Sequence, residues 1–425
     1  MLQCNILSSP VIAMSPADCT TCSDADVVSE TPARGPLAVT LILTALAMGG
    51  FAIGVTEFAA MSVLPDFARG LGVDEPTAGH AISAYAAGVV VGAPLLAAFG
   101  ARLPRWILLI VLMGLFAAAN TLSALSPNFE TMLVFRFLSG LPHGAYFGVA
   151  ALVAASIVPL KFRTRAVSTL LMGLTLATVL GVPVVNLISQ AHGWRWTFGI
   201  VGMLAVLTMT LVALFAPRDP AHPDASPLRE LKALKNRQVW LTLGVSAIGF
   251  GGMFAVYAYL ASTLREVTGV GPEVLPWVFA VFGVGMFSGN LLGAWAGDRF
   301  GFKAAAGVLI WSAASLALYP LASHHLWSML VIVLCVGAGG GLGAILQTRL
   351  MDVAGEAQTL AAALNHSAFN TANALGPLLA GAAVAAGFGW GSTGWVAVGL
   401  TLGGLAIWLW AWLDGRVSRP PVTAA

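Results

Sequence analysis

From residue 37 onward the chain is a succession of apolar runs separated by short polar breaks. A helix needs about 20 apolar residues to cross about 30 Å of hydrocarbon. Twelve runs meet that length: residues 37–64, 77–101, 106–125, 131–160, 166–190 and 196–217, then 239–264, 274–297, 304–323, 326–348, 357–388 and 391–413. In lipid each crossing segment must pair its own backbone groups, so the runs are predicted to be helices. The longest polar interruption, PRDPAHPDASPLRELKALKNRQ, leaves six runs on either side. The expected organisation is a disordered tail over 1–36, a six-helix bundle over 37–217, a linker over 218–238, a second six-helix bundle over 239–414 and a short tail over 415–425.

The two groups of six look alike. Arg102 matches Arg299 and Gly144 matches Gly341 at an offset of 197 residues, Gly193-Trp194 matches Gly389-Trp390 at 196, and Gly181 matches Gly376 at 195. Landmarks that keep step over half a chain argue for a duplicated unit. Paired repeats of this kind suit a transporter, in which one half rocks against the other around a site near the bilayer midplane. Glycines recur four apart, as in Gly50/Gly54, Gly88/Gly92, Gly140/Gly144/Gly148, Gly285/Gly289/Gly293/Gly297 and Gly337/Gly341. Such spacing lets helix backbones approach closely, whatever the solute.

Composition agrees with this picture and removes alternatives. Hydrophobic residues make up 58% of the chain and charged residues 9%, against roughly 25% charged in soluble domains; the mean hydropathy is +0.87. The net charge of +2 and the lack of a basic run exclude a nucleic-acid partner. Cys4, Cys19, Cys22 and Cys335 imply neither a disulfide framework nor a metal site. Residues 1–36 carry no basic segment ahead of an apolar stretch, unlike a cleaved signal peptide. With both termini in the cytoplasm, inside segments hold 16 basic residues and outside segments hold Arg69, Arg195 and Arg265. The positive-inside rule therefore predicts that orientation in the cytoplasmic membrane.

Within the spans, Glu57 stands out as the one carboxylate and Arg136 as the one permanent cation. Each lies seven residues from the outer end of its helix, hence about 10 Å deep at 1.5 Å per residue, and equal depth would allow them to pair. Desolvation disfavours a charged carboxylate and a nearby guanidinium favours it. An acid whose surroundings alternate between wet and dry would then bind a proton in one state and release it in the other. Two readings of Glu57 stand side by side, a coupling or substrate group and an acid that reaches to the interface. Arg136 is likewise either functional or a tie to backbone carbonyls. His366, Asn370 and Asn373 share one face of the eleventh span, and the repeat aligns Asn370 and Asn373 with Thr175 and Thr178 of the fifth. Those strips are expected either to line a substrate cavity or to hydrogen-bond between helices. His143, Tyr257 and Tyr259 are weaker cavity candidates, and His143 alone reads as a packing histidine.

The stretch RFLSGLPHGAYFGVAALVAASIVP resembles the helix-4 motif of the major facilitator superfamily, with Arg136, Gly140 and Gly144 at its key positions. With TEFAAMSVLPDFARGLGV, AYAAGVVVGAPLLAAFGARLPR and GWRWTF, the chain is most similar to the arabinose-efflux-permease-like branch of the drug:proton antiporters, over residues 37–415. The resemblance implies two six-helix repeats, a proton role for Arg136 and a cavity-facing acid at Glu57. It also implies a gating loop after the second span, here altered: Ala101, Pro104 and Trp106 replace an acid, a glycine and a basic residue, leaving Arg102 and Arg105. The second copy, Asp298, Arg299, Gly301 and Lys303, is better kept. The antiporter motif of the fifth span is represented by Gly173, Gly181 and Pro183 without its final glycines.

The function expected is secondary active export of small organic molecules, drugs or sugars, by proton antiport with alternating access. A proton-coupled importer or uniporter of a polar nutrient on the same fold is the alternative. A membrane enzyme is disfavoured, because one deep carboxylate cannot supply an acid/base pair and no phosphate loop or metal cluster accompanies it. No cofactor is expected. The partners are a small-molecule substrate, protons and the lipid bilayer, and the chain is expected to act as a monomer.

Overall fold

In the computed structural model, residues 35–100, 103–159, 162–218, 235–354 and 358–417 are described. The expected tail over 1–36 and linker over 218–238 therefore lie almost wholly outside the described residues, as does most of 415–425. Among the described residues twelve helices are long and apolar enough to cross a bilayer: α1 Pro36–Ser62, α2 Glu75–Leu96, α3 Arg105–Ala124, α4 Phe129–Ser156, α5 Ala166–His192, α6 Arg195–Phe215, α7 Arg237–Ala258, α8 Pro272–Phe300, α9 Lys303–Ala322, α10 Leu326–Ala354, α11 Leu364–Phe388 and α12 Ser392–Gly415. Exposed tryptophans mark both ends of the bundle. Trp277, Trp327 and Trp395 lie at one end and Trp240, Trp295 and Trp410 at the other, as expected of rings seated at the two headgroup levels. The end holding Pro36 and Val417 is called proximal below and the opposite end distal.

The duplication is visible in backbone packing. A Cβ on Gly88 would meet Phe137 O at 2.1 Å, and one on Gly140 would meet Tyr85 O at 2.0 Å, which locks α2 onto α4. The same notches recur 197 residues later, where Gly285 faces Leu334 O at 2.3 Å and Gly337 faces Phe282 O at 2.4 Å, locking α8 onto α10. The turns ending α5 and α11 also correspond, because Gly193 and Gly389 both adopt positive φ, 99° and 73°. Only glycine takes that conformation at little cost.

Several elements depart from straight spans. The first run expected to reach residue 64 stops at Ser62, and a short distal helix, Leu64–Leu71, with Pro65 in its first turn, leads to α2. Asp74 caps α2, its Oδ1 accepting from Thr77 N at 2.8 Å, and the hydroxyl and then the N–H of Thr77 hold the exposed carboxyl below its ordinary range. α5 carries a π turn over Ala177–Gly181 that ends two residues before Pro183. α7 is interrupted at Phe250 and again at Tyr259, beyond which Leu260–Thr263 and a π turn over Leu264–Thr268 complete it. Such breaks release backbone groups where a helix must bend.

Candidate functional site

Glu57 and Arg136 are the carboxylate and the guanidinium buried in the interior among the described residues, each 1% exposed. They do not pair. Glu57 Oε1 accepts a hydrogen bond from Asn373 Nδ2 at 3.0 Å, reaching from α1 in the first half to α11 in the second. Arg136 Nη1 instead donates to Thr56 Oγ1 at 3.0 Å, and Thr56 Oγ1 donates to Asn120 Oδ1 at 2.7 Å. Its guanidinium lies over the rings of Tyr85, 4.3 Å from the centroid, and Phe198, at 5.3 Å. The expected pair gives way to two separate attachments. At the observed bounds further acids fall near span ends, among them Glu130 of α4, Glu273 of α8 and Glu75, which begins α2 and accepts from Ser262 of α7, while Glu57 is the one buried carboxylate among the described residues.

Two helical turns in from Arg136 the site continues as rings. Tyr85 Oη and His143 Nδ1 are 2.9 Å apart. The His143 ring is 6.1 Å from that of His366, and His366 stacks on Phe147 at 5.0 Å with an interplanar angle of 5°. These contacts cross from α4 to α11. His143 thus hydrogen-bonds within its own half and packs against a ring of the other. Asn370 Nδ2 donates to His366 O at 3.1 Å, and the Oδ1 atoms of Asn370 and Asn373 and the Oγ of Ser367 are buried without a partner. On the distal side of Glu57, the neighbouring Phe58 meets Phe254 at 6.2 Å and Tyr257 at 5.5 Å. The structure thus gathers Glu57, Asn373, His143, His366 and Tyr257 along the seam between the halves, with Asn370 beside them.

The remaining candidates are placed differently. Thr178 spends its hydroxyl on Thr175 O at 2.8 Å, and its backbone packs against Gly283 of α8; it closes the seam by contact. Gly173 and Gly181 seat α5 on α1: a Cβ on Gly173 would be 2.1 Å from Ala47 O, and one on Gly181 would be 2.6 Å from Val55. Pro183 follows the π turn and begins the distal part of α5. Arg102 lies outside the described residues. Arg105 starts α3. Asp298 and Arg299 finish α8, Gly301 turns the chain and Lys303 starts α9. The side chains of Asp298, Arg299 and Lys303 are exposed and make no ion pair with another described residue.

Polar contacts between the halves cluster at the distal end. Arg265 at the end of α7 grips both oxygens of Asp66, at 3.1 and 3.0 Å. Gln190 Nε2 donates to Pro272 O at 2.7 Å. Tyr259 donates to Pro377 O at 3.1 Å and fills a slot that exists because Gly79 of α2 and Gly381 of α11 lack side chains. Asp66, Glu75, Tyr85, Thr56 and Asn120 were not singled out by sequence. The acids sit beside a loop, where charge is unremarkable, and the others are ordinary polar residues until their neighbours are known.

The Major Facilitator Superfamily model matches residues 46–271 and again 244–425. The chain belongs to that superfamily. YdhP, an inner membrane transport protein of Escherichia coli (strain K12), is 38% identical over 368 residues, covering 86% of this chain and 94% of that one. AraJ of the same organism is 32% identical over 345 residues, covering 80% and 87%, which agrees with the branch the motifs suggest. A chloramphenicol resistance protein of Streptomyces lividans is 35% identical over 351 residues, covering 80% and 88%. Among solved structures, a bacterial homolog of the human lysosomal transporter Spinster superposes with a TM-score of 0.71 at 16% identity, over 92% of this chain and all of that one. The fold is that of the superfamily, and the protein is a multi-pass membrane transporter, as its relatives are.

Proposed function

We propose that this transporter exports small organic molecules across the cytoplasmic membrane in exchange for protons, as a monomer with both termini in the cytoplasm. Glu57 is the proton-binding group and the seam around Asn373, His143, His366 and Tyr257 is the substrate region. The observation that carries this reading is the partnership of Glu57 with a neutral amide of the opposite half. Removing one member of a buried ion pair strands the other charge at a cost of about 3–5 kcal/mol. Glu57 has no such counter-ion in contact, so it can gain or lose a proton without stranding Arg136, which keeps its own hydrogen bond and ring contacts. The same proton changes how strongly the two halves are tied together, which is what exchange between proton and solute requires.

Export from cells expressing the protein tests this. Efflux of chloramphenicol and of labelled sugars is compared for the wild type and Glu57→Gln, with and without a protonophore. Efflux lost in both the variant and the protonophore-treated wild type supports the proposal, whereas unchanged efflux by Glu57→Gln would reduce the acid to a packing role.

A further inference from the structure

The amides beside Glu57 have an orientation fixed by their partners. Asn370 Nδ2 faces His366 O and Asn373 Nδ2 faces Glu57 Oε1. A backbone carbonyl only accepts, so in Asn370 the nitrogen must occupy that position and the oxygen must point away; in Asn373 the same orientation holds while the Glu57 carboxyl is charged. Both oxygens are buried and unpartnered, which is costly unless a ligand supplies a donor. The two residues differ in one respect. The partner of Asn370 is a backbone carbonyl, which only ever accepts. The partner of Asn373 is a carboxyl group, which accepts when charged and donates when protonated.

We propose that Asn373 is a positioning residue that converts the protonation state of Glu57 into the polarity shown to the transported solute, by a half-turn of its amide. With Glu57 charged, Asn373 gives its N–H to the carboxylate and turns Oδ1 toward the solute. A proton arriving on Oε1 of Glu57 makes that oxygen an O–H donor, which needs an acceptor, while Oε2 keeps its capacity to accept. Rotation of the amide supplies Oδ1 to the acid and turns Nδ2 toward the solute in its place. A solute bearing an N–H or O–H donor is held in the first state and opposed by a second donor in the other. The solute class is therefore a hydrogen-bond-donating organic molecule, an extension that rests on the export reading above. Asn370 remains a constant acceptor in both states.

Neighbouring charge does not supply this reversal. Arg136 of α4 and Tyr85 of α2 act on Glu57 electrostatically. Tyr257 of α7 touches Phe58 rather than the acid. His143 of α4 and His366 of α11 contact each other and Phe147. The titratable groups of α5 and α6, His192 and Arg195, lie at the distal ends of those helices. Asn373 is the one side chain recorded in a hydrogen bond with Glu57 among the described residues.

The test uses the full chain in nanodiscs, labelled with asparagine carrying 13C at the side-chain carbonyl, and infrared difference spectra between about pH 8 and about pH 5. An asparagine carbonyl band that shifts together with the appearance of a protonated carboxyl band, and that is lost in Glu57→Gln and in Asn373→Leu, is the expected result. A protonated carboxyl band with no accompanying asparagine shift overturns the proposal, as does a shift that survives in folded Asn373→Leu. Chloramphenicol binding gives a second measure. The wild type is expected to bind roughly tenfold more weakly at the lower pH, a factor in keeping with one misplaced hydrogen bond. Asn373→Ser, whose hydroxyl can donate or accept, keeps that pH response, and Asn373→Leu loses it. An equal response in the serine and leucine variants overturns the proposal. A wild type that binds no chloramphenicol counts against the export reading, and the infrared result then decides the amide proposal alone.

Discussion

At the residue scale, Arg136 shows how a buried charge is kept without a counter-ion in contact. Its plane lies over two aromatic faces and one N–H meets Thr56, itself anchored to Asn120 and through Asn120 Nδ2 to Phe116 O at 2.8 Å. A desolvated cation over a ring gains about 2 kcal/mol, and Lys has no planar fork to divide between rings and hydroxyl. Arg136→Lys is therefore expected to lower stability by about 2 kcal/mol and to reduce transport, read by thermal melting in detergent and by efflux. Wild-type melting and efflux in that variant would show that charge alone is needed at this position. Glu57 and Arg136 were legible in the sequence because an ionisable group in an apolar run is conspicuous. Their partners were not. Depth along a helix follows from counting residues, whereas the direction a side chain faces depends on which helices are neighbours. That is why Asn373 was recognised as part of a polar strip but not as the ligand of the acid.

At the element scale, glycines spaced four apart were readable, but which of them matter was not. Gly140 and Gly148 belong to the same series on α4. A Cβ on Gly140 would press on Tyr85 O, whereas one on Gly148 would meet nothing within 4 Å. Gly140→Ala is expected to cost at least about 1–3 kcal/mol, the usual penalty for overpacking. Gly148→Ala is expected to be neutral or stabilising by a few tenths of a kcal/mol through better helix propensity. Melting temperatures of the two variants, measured side by side, check this, and equal values would mean that α2 and α4 can move apart. The breaks in α7 at Phe250 and Tyr259 were hidden because GFGGMFAVYAYLAS is apolar throughout. Hydropathy records that a segment is buried in lipid or protein and is insensitive to its bends.

At the scale of the whole molecule, the count of twelve spans and the duplication followed from run length and spacing, and both recur in the packing of α2 on α4 and α8 on α10. The distal closure did not, since Asp66 and Arg265 are 199 residues apart in the chain. A bidentate arginine–carboxylate pair is geometrically specific, and Asp66→Asn keeps the shape while removing the charge. That variant is expected to favour an opening of the distal end. Spin labels at the exposed positions 191 and 273, on opposite sides of the seam, would then show a longer and broader distance distribution than in the wild type. An unchanged distribution would assign the closure to Tyr259 and Gln190 instead.

The glycine notches also bear on stiffness. Where a carbonyl rests directly over a glycine Cα, no side chain lies between the helices to be compressed or to change rotamer. Any slide along the axis brings a Cβ against backbone. The pairs α2/α4 and α8/α10 therefore act as girders, and compliance is left to the seam, where rings and amides meet across the halves. A solute wedged there presses on two stiff helix pairs, so the seam yields first and the pairs move as bodies.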